Sequence, residues 1–157
     1  MKWPVLLLAT AALVTGIGAA YWWRGTTSAS QAPLFATADT VAGAVLYQAN
    51  CAACHGANLE GAVDWKTPGT DGRLPPPPHD ESGHTWHHGD MLLFDYTKLG
   101  GAEALARQGM AFDSGMPGFA DTLTDAQIVD ILAFIKSTWP DRERQSQAAR
   151  SEAERNP

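Results

Sequence analysis

The chain has 157 residues, with 11 basic and 17 acidic side chains and a formal net charge of −6. That length holds one ordinary domain with extensions, not two independent cores. From residue 25 onward nine basic side chains face seventeen acidic ones, a net of about −8. This acidity speaks against nucleic acid and anionic lipid headgroups as partners and favours a partner with a basic docking patch.

No charged residue occurs between Trp3 and Trp23. A spanning helix takes roughly 20 apolar residues, whereas a signal-peptide core takes about 7–15. Lys2 marks the positive end, and Tyr21-Trp22-Trp23-Arg24 has the composition of an aromatic interfacial belt. Gly18-Ala19-Ala20 offers small residues for a signal-peptide cut. Run length and aromatic belt favour an uncleaved anchor over residues 1–24. Either reading leaves residue 25 onward on the periplasmic side of a bacterial inner membrane, anchored there or soluble after cleavage.

Residues 25–38 are rich in small and hydroxylated side chains, which suits a flexible linker. A helix is expected to start at Asp39 or Thr40, either of which can cap it, and to run through Asn50. Residues 56–78 hold seven prolines and glycines in their second half and predict a loop. A second helix is expected over Asp90–Leu99, stopped by Gly100-Gly101, with a further turn over Glu103–Gln108. Thr124-Asp125-Ala126-Gln127 is a capping box, and Ile128, Ile131, Leu132 and Ile135 behind it form an apolar helical stripe. Trp139-Pro140 ends that helix. The polar tail 141–157 is expected to be disordered or a frayed extension.

Both cysteines of the chain lie in Cys51-Ala52-Ala53-Cys54-His55. The spacing C-x-x-C-H reads as a covalent haem attachment site, with two thiols adding to the porphyrin vinyl groups and the adjacent histidine beneath the iron. A thioredoxin-type motif needs a preceding strand and a βαβ surround, and here a helical pattern leads in. A zinc site needs two further ligands at wider spacing than Cys54-His55 provides, although His79, His84, His87 and His88 stand available.

The arrangement over 39–140 resembles a class I c-type cytochrome: a helix entering the cysteine motif, a loop, a middle helix, a methionine loop and a closing helix. The resemblance implies an all-α domain around one covalently bound haem c. It also implies that Gly43 and Tyr47 of the first helix pack against Phe134 of the last. A soft methionine sulfur suits the second axial position of an electron carrier. Met91 lies on an apolar helical run and is read as core. Met110 and Met116 share a glycine-rich loop, and Gly115-Met116-Pro117 resembles the family's ligand loop, so Met116 is preferred over Met110, a histidine or an open site. The run Gly72-Arg73-Leu74 with Pro75–Pro78 resembles the family's proline segment whose carbonyl orients the proximal histidine, and Pro76 is taken as the residue that does so here.

His79-Asp80-Glu81-Ser82-Gly83-His84-Thr85-Trp86-His87-His88 departs from a minimal pattern of that family. The favoured reading has some of these side chains lining the haem edge and others capping the Asp90 helix. A labile copper or zinc site and a docking or proton-coupled role are the alternatives. The expectation is therefore a one-electron carrier, not an enzyme, with Cys51, Cys54, His55 and Met116 on the haem, working with redox partner proteins in a respiratory or redox chain. The alternatives are an electron-entry or exit subunit of a membrane oxidase or dehydrogenase, and a copper-handling redox protein using His79–His88.

Overall fold

The computed structural model describes residues 34–156. The anchor or signal segment at 1–24 and most of the linker at 25–38 lie outside the described residues. Helix α1 spans Thr40–Asn50 and is capped by Asp39, whose carboxylate accepts from the amides of Val41 and Ala42 at 2.9 and 3.0 Å. The Asp39 amide itself donates to Asp130 Oδ1 at 2.8 Å, which ties the start of α1 to a distant helix. A single turn, α2, follows over Ala52–His55. After a long loop come a 3₁₀ turn over Thr85–His87, α3 over Asp90–Leu99 and α4 over Gly101–Ala106. Helices α5, Asp125–Thr138, and α6, Asp141–Arg155, complete the domain. The described residues are all-α, without strands, as expected, and no helix among them is long and apolar enough to cross a membrane.

The core forms where α1 packs on α5. A Cβ added to Gly43 would stand 2.0 Å from the Asp130 carbonyl oxygen and 3.0 Å from Phe134 Cβ, so the two helices approach only because a side chain is missing. One turn on, Tyr47 is fully buried with its ring 5.6 Å from that of Phe134. The stripe of Ile128, Ile131, Leu132 and Ile135 is buried, and the Thr124–Gln127 capping box is formed in both directions. Gly100 stops α3 with φ of +87°, a conformation that favours glycine. Gly101 does not share that role but opens α4, two residues earlier than the turn expected from Glu103.

The tail differs from expectation. Residues 141–155 are a helix whose buried face is polar: Glu143, Gln147 and Ser151 lie at i, i+4 and i+8. Gln147 Nε2 donates to Asp90 Oδ1 at 2.7 Å and to the His88 carbonyl at 3.3 Å. Ser151 Oγ accepts from the Asp90 amide at 3.0 Å, and Glu154 accepts from Met91 and Leu92 at 3.0 and 3.4 Å. The N-terminal donors of α3, whose cap residue Gly89 has no side chain, are thus satisfied by α6 and not by the neighbouring histidines. A Cβ on Gly89 would stand 2.1 Å from the Glu154 carboxyl carbon.

Removing that remote cap should cost about 1 kcal/mol. Glu154→Ala is therefore expected to lower the urea midpoint of unfolding. Glu152→Ala, which alters only exposed contacts with Arg155 and Asn156 at the end of α6, should leave it nearly unmoved. Equal midpoints for the two variants would remove the capping role from Glu154.

Candidate functional site

Cys51 closes α1, its amide donating to the Tyr47 carbonyl at 2.8 Å, and its own carbonyl accepts from Cys54 and His55 at 3.1 and 2.9 Å. Cys51, at the junction of α1 and α2, and the turn of α2 therefore carry all three chemically active side chains of the motif on one continuous stretch of hydrogen-bonded backbone. Both cysteines are free thiols, Cys51 half-buried and Cys54 exposed. Burial, with a smaller contribution from Cys54, pushes the Cys51 thiol up to about 11. Tyr47 anchors the far side of the turn: its hydroxyl donates to the Gly56 carbonyl at 2.9 Å. Burial holds that phenol protonated far above its usual range.

His55 is 7% exposed. Its Nδ1 lies 2.9 Å from the Pro77 carbonyl oxygen. A carbonyl can only accept, so Nδ1 must carry the proton and Nε2 must carry the lone pair. Desolvation lowers the His55 pKa below its ordinary value, partly offset by the Pro77 bond. The ring is thus a neutral donor at neutral pH, which is the state a metal requires.

The orienting carbonyl belongs to Pro77, not to Pro76 as expected from the sequence. The reason lies in the pairing of the proline segment with the loop after α2. The Pro76 carbonyl accepts from the Ala62 amide at 2.9 Å, and the next carbonyl along accepts from His55. The His79 amide donates to the Leu59 carbonyl at 2.8 Å, and the Gly61 amide to the His55 carbonyl at 2.8 Å. Gly61, with φ of +67°, lets the strands of chain approach, since a Cβ there would stand 2.3 Å from Pro78 N.

Met116 is half-buried in the loop before α5, and its backbone is held at both ends. Its amide donates to Ser114 Oγ at 3.2 Å, and its carbonyl accepts from the Gly101 amide at 3.2 Å. Ser114 is in turn 3.0 Å from the Tyr96 hydroxyl. The same loop continues along the end of α3, where Ala120 donates to the Lys98 carbonyl at 3.0 Å. Sequence reading missed Tyr96 and Ser114, which carry no motif. An ion pair of 2.9 Å between Arg73 and Asp113 joins the methionine loop to the proline loop. Met110 is 46% exposed. Met91 is half exposed on the first turn of α3, so the core reading is corrected: that helix buries Leu93, Phe94 and Thr97 instead.

The histidine-rich segment divides into separate pairs. His79 stacks on His55 with centroids 4.1 Å apart, and His87 stacks on Trp86 at 3.7 Å. His84 stacks on Trp65 at 5.2 Å and meets His88 edge-on at 5.4 Å. His84 Nδ1 is buried without a hydrogen-bond partner, and burial lowers the pKa of both His84 and His88. Among the described residues no three His, Cys, Asp or Glu side chains are grouped to hold a metal ion.

Two free thiols and a neutral imidazole with an unprotonated Nε2, all on one turn, fit a covalently attached haem. The fold and this donor set define a helical protein of the c-type haem class. The family described as Cytochrome c matches residues 40–139, from the first residue of α1 to Trp139, which follows α5. The chain belongs to the cytochrome c family, and haem-based electron transfer with haem c is what that membership supports. No curated protein and no solved structure matches the chain.

Before haem is attached, the two thiols should differ in reactivity. In the haem-free chain, iodoacetamide is expected to label the exposed Cys54 ahead of Cys51, with Cys51 labelling rising only as the pH approaches 11. The raised Cys51 pKa also signs the stability. The contribution from keeping this thiol neutral is whole below the ordinary value of 9.0 and is lost as pH rises through about 11. Mass mapping of the labelled peptides reads the order, and faster labelling of Cys51 at pH 8 would contradict it.

Proposed function

We propose that the protein is a monohaem electron carrier, with Cys51 and Cys54 holding the haem, His55 as proximal ligand and Met116 as distal ligand. The observation that carries this reading is the His55–Pro77 hydrogen bond, which leaves Nε2 as the free donor. When bound, the haem supplies a one-electron exchange between ferric and ferrous iron. The residues of the chain bind and orient. Cys51 and Cys54 fix the position of the ring relative to α1, Pro77 raises the basicity of His55, and Ser114 with Gly101 holds the Met116 backbone. A thioether donor favours the reduced state and raises the potential. With one protein donor for each axial position, no position remains for a substrate, which favours a carrier over an enzyme.

The site of action proposed is the periplasmic face of a bacterial inner membrane, with residues 1–24 as the anchor. The acidic balance of the chain favours donor and acceptor proteins with basic docking patches. Three donors grouped on one ion would be needed for a firm copper or zinc site, and the pairing of His55 with His79 and of His87 with Trp86 favours the haem reading over copper handling.

Optical spectra test the ligation. The reduced protein should show a c-type haem spectrum, and the oxidised protein a weak far-red sulfur-to-iron band. Met116→Ala should abolish that band while the haem stays attached, and Met110→Ala should leave it intact. A wild-type protein with attached haem but no far-red band overturns the Met116 assignment. For the anchor, membranes washed at alkaline pH should retain a chain that still includes residues 1–24. Recovery of a shortened chain in the soluble periplasmic fraction would replace the anchor with a cleaved signal.

A further inference from the structure

His55 is fixed at one atom by Pro77, and a single hydrogen bond leaves a ring free to swing about that contact. Against the face of that ring lies His79. Its imidazole lies face-on to that of His55, with centroids 4.1 Å apart and 22° between the planes. His79 is itself immobilised from several directions. Its amide donates to the Leu59 carbonyl at 2.8 Å, and its carbonyl accepts from Trp139 Nε1 at 2.7 Å. Its Nδ1 lies 2.8 Å from Thr85 Oγ1, and the Tyr47 ring meets it edge-on at 6.3 Å. Leu59, Thr85, Trp139 and Tyr47 are all buried, so the half-buried residue backing His55 is held by groups of the core.

We propose that His79 is a positioning residue, whose stacked imidazole sets the ring plane of His55 and so the orientation in which its Nε2 is presented to the haem iron. This rests on the haem reading above. A flat aromatic neighbour constrains a ring plane in a way that an aliphatic side chain of similar bulk does not, because only the flat face restricts tilt. The outer groups that orient a metal-bound histidine tune the metal as well as hold it. The orientation of an axial imidazole over the porphyrin governs the anisotropy of the ferric electron-paramagnetic-resonance signal, which therefore reads the ring plane directly.

The test uses the full-length haem-loaded protein and three variants, His79→Phe, His79→Leu and His79→Ala. An alkaline pyridine spectrum first establishes that haem is attached in each. The signal anisotropy of the oxidised protein is then measured, together with the ferrous-to-ferric ratio at the wild-type midpoint potential. His79→Phe, which keeps a flat ring, should resemble wild type in both. His79→Leu and His79→Ala should both move the anisotropy away from the wild-type value and change the ratio. If the alanine variant does not fold, the Phe and Leu pair decides. Leucine and phenylalanine variants that agree with wild type in both readouts, whatever their thermal stability, overturn the proposal. A wild-type protein without attached haem overturns the haem reading instead.

Discussion

The hydrogen bond from His55 Nδ1 to the Pro77 carbonyl is the contact on which the rest of the site depends. It settles a chemical question, the tautomer of the imidazole, with a backbone group that has no proton to exchange. It also joins two stretches of chain that are 22 residues apart. Proline suits the acceptor because its fixed φ limits how far the carbonyl can turn. The loop after α2 contributes the matching constraint, with Ala62 and Gly61 bonding to the Pro76 carbonyl and the His55 carbonyl respectively. A shift of one residue in that pairing would turn the Pro77 carbonyl away and leave His55 with a buried, unpaired nitrogen, at a cost of about 1–3 kcal/mol.

The α1–α5 contact places this bond within the fold. Gly43 permits the close approach, Tyr47 fills the space one turn later, and the Tyr47 hydroxyl then reaches the carbonyl of Gly56, the residue after His55. Core packing and site geometry are therefore linked through one side chain. On the other side, the methionine loop draws its order from α3 and α4, through Ser114, Tyr96 and Gly101. An electron carrier gains from donors that move little between charge states, and both candidate donors here are backed by hydrogen-bonded structure.

Those parts of the fold that rest on local signals were legible in the chain. Asp39, the Thr124–Gln127 box and the apolar stripe of α5 act over one or two turns, and each is found in its expected role. The attachment motif is likewise local. Four consecutive prolines are a different matter: they look alike in sequence, and which carbonyl faces His55 is decided by the distant Ala62 amide. Met91 sits in an apolar run whose buried positions are set by what α3 packs against, not by the run itself. Tyr96 and Ser114 meet only because the chain turns back at Gly100.

Helix α6 shows most clearly why a polar sequence can still be structural. Its buried face carries Gln147 and Ser151 in place of leucines, so no apolar period announces it. It lies beyond the span matched by the family, yet it supplies acceptors for the first amides of α3 and bonds to the His88 carbonyl. At the other end of the same segment, Trp139 Nε1 bonds to the His79 carbonyl. The ten residues from His79 to His88 are thus held at both ends, their terminal carbonyls accepting from side chains of the C-terminal part of the chain. Between those fixed ends the rings of His79, His84 and His87 face His55, Trp65 and Trp86 respectively. With its backbone clamped at His79 and His88, the segment sends these rings to different partners, and the first of them lies against His55.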